Sequence, residues 1–357
     1  MAKSFVRIPI LDAAARCGLH FDHRTLGRSE VEATCPFCGD HGPGKYHLSL
    51  NTDRDFYRCN LCGASGNSLT LYARLRGVSN SAAYRELTGG DSNYQSLLQV
   101  PPPKTEREPK ALSERSAVYE ALLNHLTLLP RHRENLIERG LSEERIAVNG
   151  YRSMPTTPEA RRLLCHLLSA GCDLSGIPGF YTRDGVWSIA GPNGFLIPVR
   201  DKDGLIQGMK IRLDEGASER KYRWLSSRDK HFENGTRSYS WIHITGDRTK
   251  KRAFLTEGPL KGDVASFLAN DALFICTGGV NATKGLREAI EALGVTEVVE
   301  AMDMDQYENP QVMNGILKIR VEVQAIPGIS YTRYSWNPLF KGIDDYLLGR
   351  VKARKNT

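Results

Sequence analysis

The sequence lacks the features of a membrane-spanning or secreted protein. The 357 residues contain no apolar run of about 18 residues, so no transmembrane helix and no membrane partner are predicted. The first residues, MAKSFVRIPILDAAARCG, hold only a short mixed apolar patch and are not typical of a signal peptide. These absences predict an intracellular, cytoplasmic protein, in the nucleoid or in a host cytoplasm, whose thiols stay reduced.

The charge of the chain is unevenly distributed. The net charge is +7, and residues 200–252 alone hold 14 Lys and Arg against 8 Asp and Glu. A local excess of this kind favours a polyanion such as nucleic acid as partner, although a solvated surface would carry the same charges. Hydrophobic residues make up 40% and charged residues 25%, as in ordinary folded domains, and the length allows two or three of them.

Two cysteine pairs form the most specific motif. Cys35 and Cys38 form one Cys-x2-Cys pair, and Cys59 and Cys62 form the other after a gap of 20 residues. This spacing predicts one structural zinc ion held by four thiolates in a closed tetrahedron. A redox role would require a single pair opening a helix, which this arrangement fits poorly. The other four cysteines are expected to be buried or unreactive: Cys17, Cys165, Cys172 and Cys276.

The residues between the two pairs leave two interpretations open. His41 and His47 lie nearby, but four thiolates already fill a zinc site. The segment also carries basic and aromatic residues: Lys45, Tyr46, Arg54, Phe56, Tyr57 and Arg58. On a small sheet they would suit single-stranded nucleic acid, by stacking and phosphate contact. Alternatively, they are ordinary strand residues that pack around the metal.

The order of predicted elements indicates several units. Residues 100–110 hold four prolines among charged residues and read as an extended linker. Residues 111–175 show the leucine spacing of helices, and a hairpin is predicted around Asp203 and Gly204. From residue 253 onward, apolar strand-like runs alternate with helix-like segments, which predicts a parallel sheet.

Three carboxylates are predicted to meet at one edge of that parallel sheet. Glu257 ends one strand-like run, and Asp303 and Asp305 end another. The carboxyl ends of parallel strands share an edge, and two residues spaced by two in a strand face the same way. Buried carboxylates need cations, and Mg²⁺ or Mn²⁺ with oxygen ligands fits catalytic phosphate chemistry. We therefore predict Glu257, Asp303 and Asp305 as catalytic metal ligands.

The cysteine segment resembles the zinc-binding domain of DNA primases of the bacterial and phage type. The resemblance rests on Cys35-Pro36-Phe37, Tyr57-Arg58-Cys59 and the stretch Cys62-Gly63-Ala64-Ser65-Gly66-Asn67 before a helix. Many bacterial members carry His where this chain has Cys38, whereas some phage members use four cysteines. Zinc binding by the four cysteines is therefore implied as well.

The acidic segments resemble the TOPRIM domain shared by primases, topoisomerases and some nucleases. The resemblance implies Glu257, Asp303 and Asp305 as magnesium ligands, and "KGIDDYLL" resembles the closing acidic motif of primase cores. Asp345, with Asp344, either joins this metal site or caps the following helix. Two departures leave the number of metals open: Lys261 stands where primases often have an acidic residue, and the residues after Asp305 are unusual. The segment "CTGGVNAT" lacks the G-K-[ST] ending of a P-loop, so no ATPase or helicase module is expected.

The basic segment resembles the strand pair that precedes the TOPRIM fold in primase cores. The resemblance, together with the need to hold a template and a triphosphate, predicts nucleic-acid and nucleotide contacts. The residues concerned in this segment are Arg200, Lys210, Arg212, Lys221, Tyr222 and Lys230, and Lys261 in the following TOPRIM segment is predicted to join them. Tyr222 and Trp224 either stack on bases or pack inside the sheet.

The predicted fold is a multi-domain α/β architecture. It combines a zinc ribbon-like β domain, a helical lobe and a Rossmann-like parallel-sheet TOPRIM core. The expected boundaries are 1–95 for the zinc-binding domain, 96–112 for the linker, 113–188 for the helical lobe, 189–250 for the basic subdomain and 251–350 for the TOPRIM domain.

The function implied is that of a DNA primase of a phage or mobile element. It would make short RNA primers on single-stranded DNA from NTPs, by metal-dependent nucleotidyl transfer, beside a separately encoded replicative helicase. Two alternatives stay open: a TOPRIM nuclease that cleaves with the same carboxylates, and a non-catalytic DNA-binding replication protein.

Overall fold

The computed structural model describes most of the chain, in two compact units. The described residues are 7–38, 44–89, 108–214, 221–228, 232–279, 282–304 and 310–355. The units are Met1–Thr105 and Glu106–Thr357. Most of the predicted proline-rich linker lies outside the described residues, and the domain boundaries drawn from the sequence remain predictions.

The first unit is a small antiparallel sheet with three helices. Its strands are β1 (Glu30–Ala33), β2 (Leu48–Asn51), β3 (Phe56–Cys59) and β4 (Ser65–Asn67), hydrogen-bonded in that order. Its helices are α1 (Ile10–Arg16), α2 (Ser68–Arg76) and α3 (Asn80–Thr88). The Asn67 side chain accepts a hydrogen bond from the amide of Thr70 at 2.9 Å and so begins α2.

The alternation of buried and exposed residues in β3 fixes the core of the first unit. Tyr57 and Cys59 face inward, whereas Phe56 and Arg58 face solvent. Leu48 and Leu50 on β2 meet the inward face and are fully buried. Such a small sheet has only a small hydrophobic core.

The second unit contains eight helices and eleven strands among its described residues. The helices are α4 (Leu112–Asn124), α5 (Pro130–Glu138), α6 (Glu143–Asn149), α7 (Pro158–Ser169), α8 (Pro259–Leu268), α9 (Leu286–Leu293), α10 (Pro310–Gln324) and α11 (Ile343–Lys355). The strands are β5 (Arg152–Ser153), β6 (Phe180–Arg183), β7 (Val186–Ile189), β8 (Gly194–Arg200), β9 (Ile206–Leu213), β10 (Tyr222–Trp224), β11 (His243–Thr245), β12 (Arg252–Glu257), β13 (Leu273–Thr277), β14 (Glu297–Glu300) and β15 (Ser330–Arg333).

An antiparallel sheet of order β10-β9-β8-β5 forms the first half of this unit. Strands β8 and β9 form the hairpin predicted around Asp203 and Gly204, with Arg200 opposite Ile206. Leu196 and Ile211 pack in one hydrophobic core with residues of α4 and α7. The leucine spacing therefore predicted real helices, which cover this sheet.

A mainly parallel sheet of order β11-β13-β12-β14-β15 forms the second half. Strands β12 to β15 are mutually parallel, and β11 runs antiparallel to β13 along one edge. All five residues of β13 are buried, as expected for a strand covered by helices on both faces. The predicted α/β class, with a zinc ribbon-like domain and a parallel-sheet core, is confirmed.

One strand is shorter than the sequence suggested. The run "VVEAMDMD" was expected to carry Asp303 and Asp305 at the end of a strand, but β14 ends at Glu300. Asp303 lies three residues beyond the strand, so the argument that alternation aligns it with Asp305 does not hold. The amide of Ala301 still donates to the Leu255 carbonyl of β12 at 2.8 Å, and Ala301 and Met302 are buried, but neither residue belongs to the strand.

Among the residues that the structure describes, no helix has both the length and the apolar character needed to cross a membrane.

Candidate active site and metal centre

The four predicted cysteines of the first unit converge on one point. All four Sγ atoms lie within 4.8 Å of one another, and those of Cys35 and Cys62 are 3.7 Å apart. A tetrahedron with zinc–sulfur distances of about 2.3 Å has sulfur–sulfur edges of about 3.8 Å, so the cluster has the size of a zinc site. The four cysteines are free thiols with no disulfide among them.

The local backbone prepares these sulfurs to act as ligands. The amides of Leu61 and Cys62 both approach the Cys59 Sγ at 3.4 Å and donate to it. Burial raises the pKa of the Cys35 thiol well above its ordinary value, so the thiolate needs a nearby cation. Four sulfurs, partly buried and approached by amide donors, fit a soft divalent cation such as zinc.

The aromatic residues beside the cysteines take two different roles. Tyr57 is fully buried, and its hydroxyl accepts a hydrogen bond from Arg74 at 3.1 Å. Phe56 is 42% exposed on the opposite face, next to the exposed Arg58. The packing interpretation therefore holds for Tyr57, while Phe56 and Arg58 remain accessible to a ligand.

In the second unit, Glu257 and Asp303 lie around a single lysine. Glu257 ends β12, and Gly258, with φ of 84°, turns the chain directly into α8. Lys261, in the first turn of α8, forms an ion pair with Asp303. Burial alone would lower the pKa of Lys261, but the carboxylates of Asp303, Glu257 and Asp344 raise it. Glu257 and Asp303 therefore both stabilise the charged form of Lys261, at the carboxyl ends of the parallel strands.

The two acidic residues of the closing motif have different surroundings. Asp344 is buried and accepts a hydrogen bond from Arg139 at 2.8 Å, and burial raises its pKa despite this partner and Lys261. Asp345 is exposed, and its carboxylate accepts a hydrogen bond from the amide of Gly342 at 3.3 Å. Asp345 thus makes a capping contact at the start of α11, whereas Asp344 adjoins the acidic edge.

Lys210 connects the antiparallel sheet to the acidic edge. Its Nζ donates to the carbonyl of Gly278, just after β13, at 3.1 Å, and it lies 5.2 Å from the ring centre of Trp224. Burial lowers the pKa of Lys210, and Glu257 opposes this effect through its negative charge. A cation on the first sheet therefore lies within the electrostatic influence of a carboxylate on the second.

Arg212 and Tyr222 extend this basic strip. Arg212 lies two residues from Lys210 on β9, hence on the same face. Its guanidinium donates to the Tyr222 hydroxyl at 2.9 Å. Tyr222 and Trp224 are half-buried, so both packing and stacking remain possible roles for them. Lys221, the next residue along, is exposed.

Arg200 lies apart from this strip. It pairs with Ile206, four residues along β9 from Lys210, a separation of about 13 Å along the strand. Its amide donates to His243 Nδ1 at 2.9 Å, and it lines a cavity of about 490 Å³ with His243 and Asp263. Arg200 therefore belongs to the lining of this cavity and not to the strip that contains Lys210. Lys230 and Asp305 lie outside the described residues.

Sequence reasoning missed several residues that adjoin the site. Trp241 packs edge-on against Trp224 at 5.6 Å, and Tyr239 packs against Trp241 at 5.9 Å. Arg237 lies 4.6 Å and Lys284 lies 5.7 Å from the Tyr239 ring centre. The stretch Arg237-Ser-Tyr-Ser-Trp241 combines basic and aromatic residues, as the segments predicted to contact nucleic acid do. The same criterion could therefore have identified it from the sequence.

One nearby carboxylate has a structural role. Glu300, the last residue of β14, is 1% exposed and accepts a hydrogen bond from Arg320 at 2.9 Å. Arg333 and the Tyr331 hydroxyl also contact it. These partners neutralise Glu300 within the sheet, so it is not expected to bind a metal ion.

Together, these features define a class of protein: a four-cysteine β unit combined with an α/β unit that carries an acidic edge facing a basic strand. No family model matches the chain. The chain is 25% identical over 189 residues to a DNA primase of Geobacillus stearothermophilus, which covers 50% of this chain and 31% of that relative. It is 23% identical over 309 residues to a DNA primase of Myxococcus xanthus, covering 83% of this chain and 48% of that one.

The fold agrees with these relatives. The zinc-binding and RNA polymerase domains of the Aquifex aeolicus primase match with a TM-score of 0.51 and 16% identity, covering 98% of this chain and 82% of that one. The predicted resemblance to bacterial-type DNA primases is therefore confirmed in sequence and in fold. The chain spans half or less of the length of the curated relatives that it matches.

Proposed function

We propose that this chain is a DNA primase that makes short RNA primers on single-stranded DNA from NTPs, in the replication of a phage or mobile element. The observation that carries the proposal is that Lys210 of the basic strand reaches the Gly278 carbonyl at the carboxyl end of β13, where Lys261 pairs with Asp303 at the acidic edge. It unites carboxylates suited to metal binding with a cationic, aromatic strand suited to nucleic acid, in a chain whose fold is that of a primase.

The proposed reaction is nucleotidyl transfer. The 3′-hydroxyl oxygen of one nucleotide attacks the α-phosphorus of the next, and a phosphodiester bond forms. The bond to the β-phosphate breaks, pyrophosphate leaves with its electron pair, and the hydroxyl proton passes to water. Mg²⁺ or Mn²⁺, when bound, stabilises negative charge on the phosphate oxygens. Glu257 and Asp303, with the predicted ligands Asp305 and Asp345, are the residues that would hold it.

Residues of the basic strip position the substrates in this proposal. Lys210 and Arg212 neutralise phosphate oxygens, since both present N–H donors on one face of β9. Trp224 and Tyr222 offer ring faces to a template base, beside the two cations. Lys210 is well placed for this task because its Nζ already lies at the carboxyl end of β13.

The first unit contributes template binding. The four cysteines, with zinc bound, fix the end of β3, which displays Phe56 and Arg58 to solvent. An exposed ring next to a guanidinium suits an unpaired base and its phosphate. A separately encoded replicative helicase is the partner that we expect by analogy with other primases.

A priming assay tests the proposal. Zinc-loaded protein, single-stranded DNA of mixed sequence, labelled NTPs and Mg²⁺ or Mn²⁺ should give short RNA products. The Asp303→Asn variant should lose at least about 100-fold in rate, because it removes one charge from the metal-binding edge. Asp184→Asn, at an exposed turn between β6 and β7, is the matched control and should retain full activity.

Three other outcomes would redirect the assignment. Metal-dependent loss of the DNA without NTPs would identify a nuclease that uses the same carboxylates. DNA binding that Asp303→Asn leaves unchanged, with no product under any condition, would identify a non-catalytic replication protein. Products that form equally well with Asp303→Asn would show that the acidic edge is not the catalytic site.

A further inference from the structure

Lys261 is an unusual neighbour for carboxylates that are proposed to hold metal ions. Its side chain is 17% exposed and its partner Asp303 only 10% exposed, so this ion pair is largely shielded from water. Glu257 and Asp344 also act on the Lys261 ammonium. The lysine therefore lies among three carboxylates rather than beside one of them.

Two of the described carboxylates of this edge already have a cationic partner. Asp303 pairs with Lys261 through its Oδ1 atom, and Asp344 pairs with Arg139. Each divalent cation adds two positive charges. One ion can bind Glu257 and the second oxygen of Asp303, but another ion would have to displace Lys261 from Oδ1. Like charges brought together where water is largely excluded repel strongly.

The neighbouring loop provides the space that Lys261 occupies. A Cβ atom added to Gly342 would lie 3.3 Å from Lys261 Cε and 2.4 Å from Asp344 Oδ1. Glycine at position 342 therefore leaves room for the lysine stem beside Asp344. The ammonium is thus accommodated by the surrounding chain, which is the second observation behind the inference.

We propose that the Lys261 ammonium serves as a fixed cation of the active site, so that the acidic edge binds one divalent cation instead of two. The inference rests on the proposed function, because it concerns the metal of that reaction. Lys261 holds the Asp303 carboxylate in place and presents a positive charge to the phosphates of the incoming nucleotide. The single metal ion binds at Glu257 and at the Asp303 oxygen that is not paired with Lys261.

Counting bound Mn²⁺ tests this inference independently of activity. The zinc-loaded full chain is titrated with Mn²⁺, and the free ion is followed by electron paramagnetic resonance. The wild type should bind one Mn²⁺ per chain, and Lys261→Glu should bind two. Lys318→Glu, on the exposed face of α10, makes the same change in net charge and should still bind one.

A second variant covers the case in which Lys261→Glu does not fold. Lys261→Met keeps the size of the side chain and removes only the charge, and it should bind Mn²⁺ at least about tenfold more tightly than the wild type. Two ions of similar affinity on the wild type, or no change of number or affinity in either variant, would overturn the inference. An Asp303→Asn variant that keeps the full number of ions would also overturn it.

The same titration separates this inference from the proposed function. One bound Mn²⁺ together with primer synthesis supports both. One bound Mn²⁺ without primers under any condition leaves the inferred metal count standing and removes the primase assignment. Primer synthesis by a wild type that holds two ions leaves the assignment standing and removes the fixed-cation role of Lys261.

Discussion

The two candidate metal sites of this chain neutralise their ligands in opposite ways. The four-cysteine site gathers only sulfurs within 4.8 Å, and burial raises the thiol pKa of Cys35. The acidic edge instead contains its own cations, because Lys261 pairs with Asp303 and Arg139 pairs with Asp344. We therefore expect the first site to need its metal to fold, whereas the second can fold without one and would need a metal only for the proposed reaction.

The largest expected effect comes from removing one ligand of the first site. Cys59→Ala should abolish zinc binding and unfold the first unit, since a structural zinc ion contributes on the order of 10 kcal/mol to a domain with a small core. All four tryptophans, at positions 187, 224, 241 and 336, lie in the second unit. Zinc content should fall from one to zero per chain, while the tryptophan fluorescence stays that of the folded protein.

The control for this experiment is Cys172→Ser, which changes a half-buried thiol outside the cluster. It should retain one zinc ion per chain. If Cys59→Ala lost the tryptophan fluorescence of the folded protein, the second unit would also depend on zinc. That result would contradict the expected difference between the two sites.

A smaller effect is expected at the acidic edge, where the pKa of Lys261 is raised and that of Lys210 is lowered. Without added divalent cations, Lys261→Met should lower the free energy of unfolding of the second unit by about 1.5–3 kcal/mol, because Asp303 loses a charged partner. Lys210→Met should change it by less than about 1 kcal/mol, because burial already disfavours the charged form of Lys210. Denaturant titration followed by tryptophan fluorescence measures both values.

The pH dependence of the two lysines should also differ. The pKa of Lys261 is raised, so its contribution to stability is complete below about pH 10.4 and is lost as the pH rises through its higher folded-state pKa. The pKa of Lys210 is lowered, so its cost to stability begins to fall as the pH rises through its lower folded-state pKa and is gone above about pH 10.4. Magnetic resonance of labelled lysine side chains should show Lys210 losing its proton first. The opposite order would contradict this interpretation.

The smallest expected effects distinguish two adjacent residues of β3, one exposed and one buried. Phe56→Ala should weaken binding of single-stranded DNA by about fivefold, the loss of roughly one stacked base, without changing stability. Tyr57→Phe should lower the stability of the first unit by about 1 kcal/mol through loss of the Arg74 hydrogen bond. It should leave DNA binding unchanged. Fluorescence anisotropy with a labelled oligonucleotide, and thermal unfolding, measure the two effects.

Sequence reasoning succeeded where the information was local. The Cys-x2-Cys spacing fixes two ligands within one turn, and the structure brings both pairs together. The alternation of strands and helices after residue 253 predicted the parallel sheet, and Glu257 indeed ends one of its strands. These features depend on residues that are close together in the chain.

The rest depended on contacts between distant segments. Arg139 meets Asp344 across 205 residues of sequence, and no local pattern marks either one as a partner of the other. The position of Arg200 follows from the hairpin register and from His243, which composition does not specify. The strand before Asp303 ends at Glu300, whose carboxylate is held by Arg320 and Arg333 from segments later in the chain.

The close approach of Gly342 to Asp344 and Lys261 links three positions, two of which lie far apart in the sequence. An added Cβ at 342 would lie 2.4 Å from Asp344 Oδ1 and 3.3 Å from Lys261 Cε, so a larger residue there requires the side chains at both 344 and 261 to move or shorten. A change at 261 alone would leave the closer contact with Asp344 in place. Relatives of this chain that carry aspartate at 344 and lysine at 261 should therefore keep glycine at 342.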